Sequence, residues 1–129
     1  MREQPTAIEL IEAVTEFLRA EVTSATAARL AFHTRVAANV LDIVRRELTL
    51  GPRADQGEAA RLRVLLGRDG EPEDLNAELC DQIASGRIDP SDPALIEHLW
   101  ARTLDTLAVD QPNYGTYRRA LEILAVNAP

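Results

Sequence analysis

The sequence predicts an all-α fold: a single helical domain over residues 1–129, built as a bundle of about six helices with a long central second helix. Hydrophobic residues make up 46% of the chain, which is enough for one ordinary core at this length. Aromatic residues make up only 4%, so the core must consist of aliphatic side chains, which favours packing of helix against helix. Proline and glycine divide the chain into segments of helical length, and no segment alternates polar and apolar residues as a strand does.

The first helix is predicted to begin after Thr6. The Thr6 hydroxyl can cap the helix while Glu9, three residues later, reaches back to the Thr6 backbone, which is the capping-box pattern. The apolar residues that follow fall on one side of the helix: Ile8, Leu10, Ile11, Val14, Phe17, Leu18 and Val22. This pattern indicates an amphipathic helix that lies on a core.

The second helix is the longest element that the sequence predicts. It starts near Ser24 or Thr26 and ends at Leu50, because Gly51 suits the left-handed position after a helix and Pro52 cannot continue one. Its apolar residues cover about half of the circumference at about 100° per residue: Leu30, Phe32, Val36, Ala37, Val40, Leu41, Ile43, Val44 and Leu48. A helix with so wide an apolar arc is expected to contact several neighbours.

Two shorter helices are predicted next, over residues 58–66 and 73–85. Each is ended by a glycine, Gly67 in the first case and Gly86 in the second. The last helix starts after Pro112, and its predicted core residues are Tyr117, Ala120, Leu121 and Leu124.

The fifth helix has the clearest start signal, an Asp92 N-cap with Pro93 in the first helical position. It is predicted to run to about Val109. Its apolar half contains Leu95, Ile96, Leu99, Trp100, Leu104 and Leu107. The other half contains His98 together with charged residues, so we expect His98 to be an ordinary surface histidine.

The net charge is −7, from 14 basic and 21 acidic residues, and every basic residue is an arginine. The averaged field repels phosphate backbones and anionic membrane surfaces, so we expect neither a nucleic acid nor a membrane as partner. Without lysine the chain cannot form a Schiff base or a Walker phosphate site. Charge is also uneven: residues 24–68 contain eight arginines and four carboxylates, and residues 69–92 contain eight carboxylates and Arg87. These segments could attract each other within one molecule or between molecules.

The single cysteine, Cys80, cannot form an intramolecular disulfide, and the first residues lack the apolar stretch of a secretory signal. Charged residues interrupt every apolar run before the roughly 18 residues that a membrane span needs. We therefore expect a cytoplasmic protein. No HExxH, CxxC, GxGxxG, GxSxG or EF-hand pattern occurs, so we expect no metal site, no cofactor and no catalytic residue.

A candidate pocket combines polar residues of the second helix with the turn before the sixth. Arg29, His33 and Asn39 lie on or beside the apolar arc, so His33 is expected to be at least partly buried. Asp110 could cap the sixth helix, and Tyr114 could hydrogen-bond a buried group on the second. Two interpretations stay open: these residues form structural hydrogen bonds between helices, or they line a pocket for a polar or anionic ligand.

Three stretches, "REQPTAIELIEAVTEFL", "RLAFHTRVAANVLDIVRREL" and "TLAVDQPNY", resemble a family of small bacterial proteins that is a domain of unknown function. The shared residues are Phe32, His33, Arg35, Asn39 and Arg46. Members of that family are encoded beside aminoglycoside-phosphotransferase-like kinases and acyl-CoA dehydrogenases. The resemblance implies an accessory role around acyl-CoA or phosphorylated acyl substrates, and it brings no activity and no site.

We therefore expect a non-catalytic accessory or interaction module whose partner is a second copy of the chain, an acyl-CoA dehydrogenase or a phosphotransferase-like enzyme. The uneven charge supports this hypothesis, since it can steer a partner. The alternative is a small-molecule-binding protein or an enzyme, with a pocket around His33 for acyl-CoA or a phosphorylated acyl group.

Overall fold

The computed structural model describes residues 5–128, which form five helices and no strand, so the predicted all-α class is confirmed. Helix α1 consists of Ala7–Phe17, a π-helical stretch Leu18–Val22 and a last turn Thr23–Ala25. The other four helices follow in chain order: α2 (Ala28–Leu66), α3 (Pro72–Ala84), α4 (Pro93–Asp110) and α5 (Gly115–Val126). None of these helices is long and apolar enough to cross a membrane.

The predicted capping box opens α1. The Thr6 hydroxyl accepts a hydrogen bond from the Glu9 backbone N–H at 3.2 Å, and the Glu9 carboxylate accepts one from the Thr6 N–H at 2.7 Å. The Thr6 hydroxyl also donates to the Glu9 carboxylate at 2.8 Å; the bond from the Thr6 backbone N–H foremost, and then this one, lower the pKa of Glu9 from its ordinary value. Two donors that a helix start leaves unpaired are thereby satisfied.

The predicted end of the second helix at Leu50 is wrong. Helix α2 continues for 39 residues through Gly51 and Pro52, and so joins the predicted second and third helices. A residue before proline normally avoids the helical conformation because its Cβ collides with the proline ring. Gly51 has no Cβ and is buried; an added Cβ would lie 3.1 Å from Glu47 Oε1. The glycine therefore permits the helix that the proline alone would interrupt.

The other predicted helix ends are confirmed to within a residue or two. Gly67 and Gly86 have positive φ values of 65° and 73°, the left-handed conformation that glycine adopts most easily. Asp92 Oδ1 accepts hydrogen bonds from the backbone N–H groups of Ala94 at 2.8 Å and Leu95 at 3.3 Å. This N-cap starts α4 where the sequence predicts it.

The chain divides into two compact units: the first ends at Gly51 and the second begins at Pro52. The first unit contains α1 and the first part of α2, and its buried side chains are small: Thr15, Ala31, Thr34 and Ala38. Each threonine hydroxyl donates to a backbone oxygen one turn earlier on its own helix. The single domain expected from the sequence stays a prediction.

The second unit has a core of leucines. Leu62, Leu75, Leu79 and Leu95 are at most 2% exposed, and they come from the last part of α2 and from α3 and α4. Four partly buried aliphatic residues pack against them: Leu65, Leu66, Ile83 and Ile88. Burial of four leucines is worth several kcal/mol in total, at about 1.5–3 kcal/mol each.

Candidate functional site

Three of the predicted site residues, Arg29, His33 and Asn39, lie in the first unit, and all three are exposed. The expectation that His33 is partly buried is wrong. The face of α2 that packs in this unit contains Ala31, Thr34 and Ala38, and His33 lies off that face. The apolar arc of this helix is wider than the surface that α1 covers, so the sequence pattern did not show which part is buried.

Asn39 belongs to a polar network between α1 and α2. Its side-chain oxygen accepts a hydrogen bond from Arg19 Nη2 at 2.9 Å, and the same nitrogen donates to Asp42 at 2.6 Å. Arg45 lies 3.6 Å from a Glu12 carboxylate oxygen and 3.8 Å from Asp42. The network is paired throughout and partly exposed. It connects α1 to α2 through side-chain hydrogen bonds and ion pairs.

The other two predicted site residues, Asp110 and Tyr114, lie in the second unit and are also exposed. Asp110 is the last residue of α4. Tyr114 occupies the N-cap position of α5, and no side chain caps that helix, so the predicted cap by Asp110 is wrong. The pocket that combines all five residues stays a prediction.

The first unit instead presents an exposed apolar surface on α2. Phe32, Val36, Val40 and Val44 follow one another at four-residue spacing and are 57%, 44%, 53% and 42% exposed. Residues four apart are neighbours on a helix, so these side chains form one continuous stripe, which we call the outer face. At about 100° per residue the outer face lies opposite the alanines that pack in this unit. On α1, Leu10, Val14 and Phe17 are also about half exposed.

The second unit buries a polar cluster that the sequence did not predict. His98 is only 1% exposed, so the expectation of a surface histidine is wrong. Helix α4 has two apolar arcs: the one with Leu95 and Val109 is buried with His98, and the one with Leu99 and Trp100 is about half exposed. The predicted apolar half of this helix includes Leu95, which is buried, together with Ile96, Leu99 and Trp100, which are about half exposed.

Two ion pairs between α2 and α4 accompany His98. Arg102 hydrogen-bonds the Glu58 carboxylate, and Arg61 Nη2 lies 3.6 Å from Asp105 Oδ2, which is too long for a hydrogen bond. Burial lowers the pKa of His98; Arg61 and Arg102 lower this pKa further, and Glu58 opposes them. His98 is therefore neutral at pH 7.

Three nitrogens of this cluster are buried without a hydrogen-bond partner: Nε and Nη2 of Arg61 and Nδ1 of His98. Arg61 also lines a cleft of about 300 Å³, whose other lining residues are Ala60, Val64, Leu65, Ala94 and Glu97. A buried polar group without a partner costs about 1–3 kcal/mol. Aliphatic side chains, the Arg61 guanidinium and the Glu97 carboxylate therefore line the same cleft.

A second cleft of the second unit is acidic, with Asp55, Glu58, Glu71, Glu73 and Asp74 around it. In the range 5–128, no three histidine, cysteine or acidic side chains are arranged to hold a metal ion. Cys80 is exposed.

One sequence signal could have identified the buried cluster. Glu58 and Arg61 lie one turn apart on a helix, and Arg102 and Asp105 have the reverse charge order at the same spacing on another. Opposite order suits two helices that pair through two ion pairs. On each helix these charged residues lie on the same side as a buried leucine, Leu62 or Leu95. Charged residues that face solvent usually lie away from the buried side of a helix.

Comparison with known proteins identifies the family. The family model described as Domain of unknown function (DUF6285) matches residues 24–114 of the chain. The chain belongs to this family. The matched range contains the outer face and the buried polar cluster, and the DUF6285 region begins within the last turn of α1 and ends before α5. No curated protein and no solved structure matches the chain.

Proposed function

We propose that this DUF6285 protein is a non-catalytic helical module that works by binding another protein chain. The observation that carries the proposal is the outer face of α2. Its four apolar side chains are about half exposed in a unit that otherwise buries only small residues. Contiguous exposed apolar surface of this kind is typical of protein interfaces.

The partner is either a second copy of the chain or, as the family resemblance implies, an acyl-CoA dehydrogenase or a phosphotransferase-like enzyme. The charge of the chain suits both, since a net −7 keeps the free protein soluble and the uneven charge orients an approaching partner. An accessory role in the cytoplasm, in a bacterium, is part of the same proposal.

Native mass spectrometry of the protein purified gently from its own host tests this function. We expect the wild-type chain in an assembly, with itself or with another protein, and we expect Val40→Glu to abolish that assembly. The matched control is Val126→Glu, at a valine of α5 that is 84% exposed and off the outer face. Wild-type protein found only as a 14.2 kDa monomer, or an assembly that survives Val40→Glu, would contradict the proposal.

A second candidate function is the binding of a small acyl ligand with an anionic end, such as an acyl phosphate, in the Arg61 cleft. Two buried nitrogens of Arg61 that make no hydrogen bond favour it. Nε and Nη2 of Arg61, which make no hydrogen bond although Nη2 lies 3.6 Å from Asp105 Oδ2, are the pair that binds a carboxylate or phosphate through two parallel bonds. Aliphatic lining residues would contact the acyl chain. This assigns the ligand to Arg61 in place of the residues around His33.

Thermal unfolding with and without a short-chain acyl phosphate tests the second candidate. The ligand should raise the melting temperature of the wild type and not that of Arg61→Gln. Arg119→Gln, at an exposed arginine of α5, should respond like the wild type. Equal shifts in all three proteins, or none, would count against this function.

A further inference from the structure

We infer that the outer face of α2 binds the outer face of a second copy of the same chain, with the two helices antiparallel. This inference rests on the proposed function and names the partner. In such a symmetric dimer each surface must be complementary to itself, so that each residue and its counterpart exchange roles across a two-fold axis. The outer face meets this requirement in shape and in charge.

The charges stand at the two ends of the outer face. Arg29 and Glu47 are 18 residues apart, which is five turns of an α-helix, so both project from the same side of α2 as the outer face. The rise of the helix separates them by about 27 Å. Among the described residues no ion pair involves either of them. Each end of the stripe therefore has one available charge, and the two signs are opposite.

The apolar residues between these charges share a midpoint with them. Position 38 lies halfway between Arg29 and Glu47, and it also lies halfway between Phe32 and Val44 and halfway between Val36 and Val40. An antiparallel pair of helices with its two-fold axis at this level places Val36 against Val40 of the partner copy. It likewise places Phe32 against Val44, a large side chain against a smaller one. All four stripe residues are then covered.

The same axis brings Arg29 of each copy beside Glu47 of the other, which gives two ion pairs at the ends of an apolar interface. A parallel arrangement would bring Arg29 beside Arg29 and Glu47 beside Glu47, and like charges at an interface are unfavourable. Charge thus selects the antiparallel orientation. The α1 side of α2 does not obstruct it, because Ala31, Thr34 and Ala38 pack on the opposite side of the helix.

This arrangement accounts for charged residues at the ends of an apolar helix face. Arg29 is an interface residue in the dimer, as is Glu47. His33 lies at the edge of the face, where its ring makes an edge-on contact with Phe32 at 5.6 Å between centroids. No other charged residue projects from this side of α2 between positions 29 and 47.

Charge reversal tests the orientation. Arg29→Glu alone and Glu47→Arg alone each turn both ion pairs into repulsive pairs, so each should raise the dissociation constant of the dimer roughly tenfold. The double variant Arg29→Glu/Glu47→Arg restores two attractive pairs and should dimerise nearly as tightly as the wild type. Sedimentation equilibrium at low ionic strength measures all four proteins. Both positions are exposed, so the variants should fold, and far-ultraviolet circular dichroism checks this.

Mixing the two single variants gives a second, independent readout. One chain then presents two carboxylates and the other two guanidinium groups, so native mass spectrometry should show a heterodimer in excess over both homodimers. A statistical mixture would overturn the inference, as would a double variant that remains as weak as the single ones. If the wild-type chain stays monomeric alone but binds another protein through Val40, this inference fails and the proposed function stands.

Discussion

The two parts of helix α2 bury residues of very different size. Before Gly51 the buried side chains are Ala31, Thr34 and Ala38, and after Pro52 the helix buries Leu62 in a cluster of four leucines. Burial of a leucine is worth about 1.5–3 kcal/mol, and an alanine contributes much less. The second unit therefore has a core of its own, whereas the larger apolar residues described in the first unit are at most partly buried. Before Gly51 the large apolar side chains of this helix are at most partly buried, whereas Leu62 after Pro52 is fully buried.

Paired truncations test this difference and should give the largest effect. Leu79→Ala removes a side chain that is 2% exposed, so we expect a loss of about 2–5 kcal/mol in the free energy of unfolding. Val36→Ala, on the outer face, should cost under about 1 kcal/mol in the monomer, because that side chain already contacts water. Urea denaturation at low protein concentration measures both. Equal losses at that concentration would show that the outer face is a core surface.

The boundary between the two parts can be altered through Pro52. Proline inside a helix is about 3 kcal/mol less favourable than alanine, because it lacks an N–H and its ring crowds the preceding turn. Pro52→Ala should therefore raise the free energy of unfolding by up to about 3 kcal/mol. Pro90→Ala, in the turn before α4, is the matched control and should give no such gain. If neither substitution stabilises the chain, α2 is not continuous through Gly51.

The first unit should depend on its helix cap, since it buries no large side chain. Thr6→Ala removes the hydroxyl that accepts from the Glu9 N–H and donates to the Glu9 carboxylate, and should cost about 1 kcal/mol. The control is Thr103→Ala in the second unit, where the hydroxyl only donates to the Leu99 backbone oxygen inside a helix. We expect little change there. Thermal unfolding followed by circular dichroism compares the two, and a larger loss at Thr103 would contradict the account.

The smallest expected effect is the pH dependence of the free energy of unfolding, for which the two histidines are compared. Burial lowers the pKa of His98 in the folded chain, whereas the unfolded chain has a pKa near 6.5. The unfolded state therefore binds more protons below pH 6.5, and stability falls as the pH decreases from 6.5 through the lowered folded pKa. Above pH 6.5 this contribution is constant.

Urea denaturation between about pH 5 and pH 8 measures the slope of the free energy of unfolding against pH. Most carboxylates titrate below this pH range. His98→Gln should flatten it. His33→Gln changes the exposed histidine of the first unit and should leave the slope in place. If the slope disappears with His33→Gln and persists with His98→Gln, His98 is not the histidine that causes the pH dependence, and the prediction is wrong.

Much of the fold could be predicted because its signals are local. The capping box at Thr6, the cap at Asp92 and the glycines at Gly67 and Gly86 each act on one turn of backbone, so the residues alone specify them. The continuation of α2 through Pro52 could not be predicted in the same way. It depends on Gly51 adopting a helical conformation in a buried position, which packing decides.

The candidate site was harder to predict than the fold. On α2 and on α4 the apolar residues cover more of the circumference than the neighbouring helices do, so a helical wheel leaves two choices of buried arc. The choice depends on which face finds a partner of matching shape and charge. On α4 the buried arc is the one that contains the paired charges around His98. On α2 the buried arc is the one that contains the small residues Ala31 and Ala38.

Sedimentation equilibrium tests whether two copies of the chain meet at the outer face. The purified wild-type chain is compared with Val40→Glu from low micromolar to near millimolar concentration. We expect the wild type to change with concentration from 14.2 kDa to twice that mass, while Val40→Glu remains at 14.2 kDa throughout. A wild type that stays monomeric over the whole range, or a dimer that Val40→Glu leaves intact, would contradict the claim that the outer face is where two copies meet.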